Sequence, residues 1–151
     1  MADLEALEDW AAPLLQRIEP AGRAKLARTL AQELRRSQQQ RILAQRAPDG
    51  TPFTPRKPHK LREKQGRVKR KAKMFQKLRT ASYLKAKGDA KGVTVGFTGR
   101  IARIARVHQY GLRDRIAPRG PMGQYEKREL LGFTSEDQER LKDAILAHLD
   151  L

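Results

Sequence analysis

YLKAKGDAKGVTVGFTGRIARIARVHQYG, running from Tyr83 to Gly111, carries the strongest β-pattern of the chain. Its reading decides the fold. Val93, Val95 and Phe97 alternate with Thr94, Gly96 and Thr98, a period of two that makes a half-buried strand. Tyr83 to Lys87 is its expected partner. The connection, Gly88 to Gly92, offers glycines able to take positive φ and an Asp89 able to bond its own backbone. Gly99 breaks the strand. From Arg100 the period lengthens to Ile101, Ile104, Ala105 and His108, a short helical stripe that Gly111 stops. The expectation is strand, turn, strand, helix, with the remaining chain packed on this unit.

Upstream, Leu4, Leu7, Trp10, Leu14, Leu15 and Ile18 follow helical spacing behind Asp3, a suitable N-cap. Pro13 should kink or divide that helix, because it lacks a donor and crowds the preceding turn. Pro20 suits the first turn of a second helix, with Leu26, Leu30 and Leu34 four apart and Ala27 and Ala31 beside them. This helix should reach about Gln45, before Pro48-Asp49-Gly50. Met74, Phe75 and Leu78 are read as the anchor that leads back to the core, as a short helix or as the approach to the first strand. Leu112 to Gln124, rich in Pro and Gly, reads as a loop. Tyr125 to Phe133 reads as a third strand. Thr134 to Gln138 opens a last helix, with Ser135 and Gln138 at capping-box spacing and Leu141, Ile145, Leu146 and Leu149 as its apolar side.

The expected class is therefore α+β. A small antiparallel sheet, made of a hairpin at about 82–98 and a strand at about 126–133, packs with N-terminal and C-terminal helices. The 151 residues read as one domain: helices over 1–46, a basic Pro-rich arm over 47–73, the hairpin unit over 74–133 and a final helix over 134–151.

Charge is unevenly placed. The net charge is +16, yet residues 1–20 carry five acids and one base, and residues 133–151 five acids and two bases. The excess of cations lies between them. From Arg56 to Lys73 there are ten bases, Arg56, Lys57, Lys60, Arg62, Lys64, Arg67, Lys69, Arg70, Lys71 and Lys73, against the single Glu63. Proline and like-charge repulsion predict a long extended arm, mobile in an isolated subunit, that contacts an acidic partner or DNA. Aromatic residues flank it only at Phe53 and Phe75, so backbone or surface-charge contact is favoured over base stacking. Arg100, Arg103 and Arg106 recur every three residues on one side of the predicted helix, either as a phosphate or acidic-partner contact or as a solvated face.

Chemistry is sparse. There is no cysteine, which removes disulfides and thiolate ligands. His59, His108 and His148 have no metal-ligand spacing. No cofactor and no metal are expected. Gly92, Gly96 and Gly99 lack the lysine and hydroxyl residue of a phosphate loop. His108 beside Tyr110 reads as a partly buried structural histidine rather than a proton-transfer group. Asp49 reads as a turn residue. No apolar run reaches a membrane span, and the acidic N-terminus lacks a signal-peptide pattern, so a soluble protein of a reducing cytoplasm is expected.

An ordered set of stretches carries a resemblance: Leu34 to Ile42, Pro48 to Lys57, Met74 to Arg79, Gly99 to Leu112, and Tyr125 to Phe133. Together they resemble the tail completion protein S family, or virion morphogenesis proteins, of contractile-tailed temperate phages. In the last stretch Arg128, Leu130 and Leu131 match the family pattern, while Glu126 and Glu129 stand where it has proline. The resemblance implies a virion component and not an enzyme, acting late in tail assembly at the head-proximal end and making the tail competent to join the filled head. It implies assembly in the host cytoplasm, partners among tail and neck proteins, and self-association in a six-fold ring. It fits a phage and a headless tail-like particle alike. Within such a ring the arm would touch a neighbour or DNA in the lumen, and Arg100, Arg103 and Arg106 would lie at the ring interface or lumen. The rival reading is a basic nucleic-acid-binding module, ribosome- or DNA-associated, using the same arm.

Overall fold

The computed structural model describes residues 3–56, 73–116 and 119–149. Over these the protein is α+β, with four α-helices and two separate two-stranded antiparallel sheets. Helix α1 is Leu4–Leu15 and α2 is Pro20–Leu43. Strands β1 (Leu84–Asp89) and β2 (Gly92–Phe97) form the expected hairpin. Helix α3 is Arg100–Tyr110, β3 is Arg113–Arg115, β4 is Met122–Gln124 and α4 is Ser135–His148.

The central hairpin lies on α2. Leu84 pairs with Phe97, Ala86 with Val95 and Gly88 with Val93, so these six share one face. Leu84 is fully buried there, while Lys85 and Lys87 face outward. Gly88 permits the close seat: a Cβ on it would stand 2.4 Å from the carbonyl carbon of Ala27. Asp89 makes the turn, its Oδ1 accepting from the N–H of Lys91 at 2.8 Å and of Gly92 at 3.0 Å. The turn is thus two residues, Ala90-Lys91, and no glycine in it takes a positive φ. Of the two devices expected in this turn, the aspartate side chain is the one used, and the flanking glycines take no positive φ.

The helices begin much as their sequences dictate. Asp3 Oδ1 accepts from the N–H of Glu5 at 2.9 Å, and Pro13 sits inside α1 without ending it before Leu15. Pro20 opens α2, which stops at Leu43, two residues short of expectation. Its buried face is Leu26, Ala27, Ala31, Gln38 and Ile42 rather than the leucine row alone. In α3, Ala105 and Val107 are buried while Ile104 is 44% exposed, so the inward side differs from the predicted stripe. Gly111 ends α3 at φ 64°, the left-handed conformation expected of it. The capping box of α4 is one residue earlier than predicted. Thr134 Oγ1 accepts from the N–H of Asp137 at 3.1 Å, and Asp137 Oδ2 accepts from the N–H of Thr134 at 3.0 Å.

The predicted third strand at 126–133 does not form. Side chains, not a neighbouring strand, take up its backbone groups. Gln109 Oε1 accepts from the N–H of Leu130 and of Leu131, each at 2.9 Å, and its Nε2 donates to the carbonyl of Leu131 at 2.9 Å. Gln38 Oε1 accepts from the N–H of Gly132 at 3.0 Å. Arg41 Nη2 donates to the carbonyl of Leu130 at 2.9 Å. The segment buries Arg128 and Leu130 and finds partners for its backbone groups without belonging to a sheet. The second hairpin, β3 with β4, instead arises inside the stretch read as a loop. Residues 74–79 form a succession of turns, with Phe75 at φ 64°.

Two apolar clusters result. Ile42, Phe53, Leu78, Ala105 and Leu130 form one, and Ala11, Leu26 and Ile145 centre the other, joined by Trp10, Leu30 and Leu149. Burying a side chain such as Leu130 contributes about 1.5–3 kcal/mol. Ser37 Oγ donates to Asp137 Oδ1 and ties α2 to α4.

Candidate interaction surface

Of the arm residues, Lys57, Lys60, Arg62, Lys64, Arg67, Lys69, Arg70 and Lys71 lie outside the described residues, as does His59. Arg56 and Lys73 are described, and they stand together: Arg56 Nη2 donates to the carbonyl of Lys73 at 3.5 Å. The chain therefore leaves and re-enters the body at one place.

That root is tied down by residues that the sequence reading did not single out for it. Gln45, itself left-handed at φ 59°, pairs with Met74 in both directions. Its Nε2 donates to the Met74 carbonyl at 2.9 Å, and its Oε1 accepts from the Met74 N–H at 2.7 Å. Arg128 holds the other end. Its Nε donates to the carbonyl of Thr54 at 2.7 Å and its Nη2 to that of Pro55 at 3.0 Å. Arg128 is only 7% exposed, and burial lowers its pKa from the ordinary arginine value, with the nearby Glu126 acting in the opposite sense. Its own N–H donates to the carbonyl of His108 at 2.7 Å, which couples the arm root to α3. The fixed pair Arg128 and Leu130, noted above only through the family resemblance, thus spans the root and the core.

His108 stands at this junction. Its ring is edge-on to Phe75 at 4.8 Å and to Tyr125 at 5.2 Å, and Phe75 in turn meets Phe53 at 5.6 Å. Burial, and secondarily the Arg128 charge, push its pKa down to about 4, so the ring is neutral at pH 7. Its Nδ1 is buried without a hydrogen-bond partner. The ring is partly buried, as the sequence suggested, and packs among aromatics.

Arg100, Arg103 and Arg106 are all exposed on α3. Arg103 pairs with Asp114 at 2.7 Å; the N–H of Arg115 and then the Arg103 guanidinium hold that carboxyl below its usual range. Among the described residues, Arg100 and Arg106 form no ion pair. Arg106 borders an open groove of about 680 Å³ between α2, β2, α3 and residues 131–133, lined largely by Leu34, Val95, Phe97, Ala102, Ala105, Leu131 and Phe133. Leu4 and Tyr110 stand at it, 51% and 63% exposed. Gln38 also lines it, and its Nε2 is buried without a partner. The sequence held one signal for this glutamine: it falls midway between Leu34 and Ile42 at four-residue spacing, on an otherwise apolar side. The structure does bring the arm root and α3 into one region, through Arg128 and His108.

Among the described residues, no helix is long and apolar enough to cross a membrane. None of their His, Asp and Glu side chains group in a way that could hold a metal ion.

Comparison with known proteins adds the following. Residues 2–150 match the phage virion morphogenesis family. The chain is 42% identical over 151 residues to the tail completion protein S of Escherichia phage P2, covering 99% of each chain. No solved structure matches it.

Proposed function

The chain belongs to the phage virion morphogenesis family, and from this we propose that it is a tail completion factor. It is a structural component of the virion that acts at the head-proximal end of a phage tail, is required for tail maturation, and makes the tail competent to join the filled head. The observation that carries this is similarity along the whole chain to a protein named for tail completion. Its partners are other tail and neck proteins of the particle and further copies of itself, in a ring six-fold like the tail. Its role is assembly rather than catalysis, in keeping with a His108 enclosed by aromatic rings and held neutral.

The basic residues have two roles in this reading. Arg56, Lys57, Lys60, Arg62, Lys64, Arg67, Lys69, Arg70, Lys71 and Lys73 contact a partner or DNA passing through the lumen, through charge and without base reading. Arg100, Arg103 and Arg106 serve the ring interface or lumen. The fixed root formed by Gln45 and Arg128 supports this, because it sets where the charge leaves the body.

Deleting the coding region from a phage that carries it tests the reading. Electron microscopy of the lysate should show DNA-filled heads and tails that remain unjoined. Normally joined, infectious particles would overturn it.

A further inference from the structure

Three charged stripes in the molecule are unpaired within it among the described residues, apart from Arg103, which meets Asp114. On α3, Arg100 and Arg106 face solvent without an ion pair among the described residues, one turn to either side of Arg103. On α1, Glu5, Glu8 and Asp9 are exposed at helical spacing, and on α4 so are Glu136, Glu139 and Asp143. None of these six acids forms an ion pair among the described residues. Helices α1 and α4 pack together through Trp10, Ala11, Ile145 and Leu149, so their acids belong to one part of the molecule. Like charges three and four residues apart on a helix repel, as Arg100, Arg103 and Arg106 do on α3.

The basic stripe also borders unfilled apolar space. The groove beside Arg106 is about 680 Å³, with Tyr110 63% exposed at it. The Gln38 side chain that lines it belongs to a residue only 2% exposed, yet its Nε2 has no acceptor.

Resting on the self-assembly in the function proposed above, we propose that this groove and the α3 arginines receive the acidic α1–α4 face of a second copy of the chain. The charges favour a copy as occupant: the molecule carries a basic patch on α3, where Arg103 alone is paired, and exposed acids on α1 and α4, with Arg140 and Lys142 among those of α4, that form no ion pair among the described residues. Two different faces meeting make a heterologous contact, the type that closes into rings when its rotation closes. The contact is steered by charge and therefore weakens with salt. Tyr110, exposed at the groove, is covered.

Sedimentation velocity at low salt, over a range of protein concentrations, tests this with three variants. Arg100→Glu/Arg106→Glu and Glu136→Lys/Glu139→Lys alter exposed residues, and unchanged thermal unfolding serves as the check that each folds. Either double variant alone should self-associate about tenfold or more weakly than the unaltered chain. Mixed in equal amounts, the two should associate again, since each supplies the face the other lacks. Tyr110→Asp, which places a carboxylate at the groove, should weaken association without affecting unfolding. An unaltered chain that stays monomeric at high concentration and low salt would overturn the proposal. So would association that neither double variant weakens, or that mixing does not restore. Tail completion itself is read from joined particles in lysates, so its failure is seen separately.

Discussion

Gly88 has no space for a side chain. Ala27 and Arg28 of α2 lie against it, with backbone atoms 2.4–2.5 Å from where a Cβ would sit. Gly88→Ala should therefore destabilise the fold by about 1–3 kcal/mol, read by denaturant unfolding, whereas Gly96→Ala, with nothing near it, should be close to neutral. Equal effects at the two sites would remove the role given to that close seat. Gln109 is the second such residue. Gln109→Ala orphans the N–H groups of Leu130 and Leu131 together with the Leu131 carbonyl, and should cost about 2–3 kcal/mol. His108 sets a pH dependence whose sign follows from its environment. Its folded pKa, about 4, lies below the ordinary 6.5, so between these values the unfolded chain binds the proton more readily. Its contribution to stability is complete above pH 6.5 and is lost as pH falls toward 4. His108→Phe should flatten unfolding stability across that window. A slope unchanged by the substitution would contradict the burial argument.

Regular elements were more legible than the connections between them. The alternation Val93, Val95, Phe97 located the hairpin to within a residue or two, because a period of two survives any packing partner. Pro20 and Gly111 marked helix ends for reasons internal to the backbone. The segment 126–133 was misread as a strand, since a stretch with apolar residues at Leu130, Leu131 and Phe133 looks the same in sequence whether its N–H groups meet a strand or the amides of Gln109 and Gln38. Those partners lie 21 and 94 residues away, and nothing local announces them. Of the candidate site, the arginine stripe on α3 was visible as a three-residue spacing, but the root of the arm was not. Gln45 and Arg128 become meaningful only once Met74, Thr54 and Pro55 are brought to them. The start of α4 offers a clean test at this scale. Thr134→Ala should cost about 1 kcal/mol in thermal or denaturant unfolding, while Ser135→Ala should change stability by only a few tenths. The reverse order would restore the cap that the sequence alone suggested.

At the scale of the molecule, the +16 charge is organised by the fold rather than spread over it. Arg56 and Lys73 stand together at the two ends of the basic segment, while seven of the seventeen acids lie on α1 and α4. Replacing Lys69, Arg70 and Lys71 by glutamine should leave thermal unfolding unchanged but reduce the yield of joined particles, since the proposed role of these residues is charge contact with a partner or DNA. A loss of folding stability would contradict that separation of body from charge. The most direct measurement of the central claim is add-back. Purified protein is mixed with a lysate of the deletion phage, and infectious titre is counted. Tail completion predicts that titre rises with added protein, as stored heads and tails become joined particles. A titre that stays at background, with the protein folded and the heads and tails intact, would contradict it.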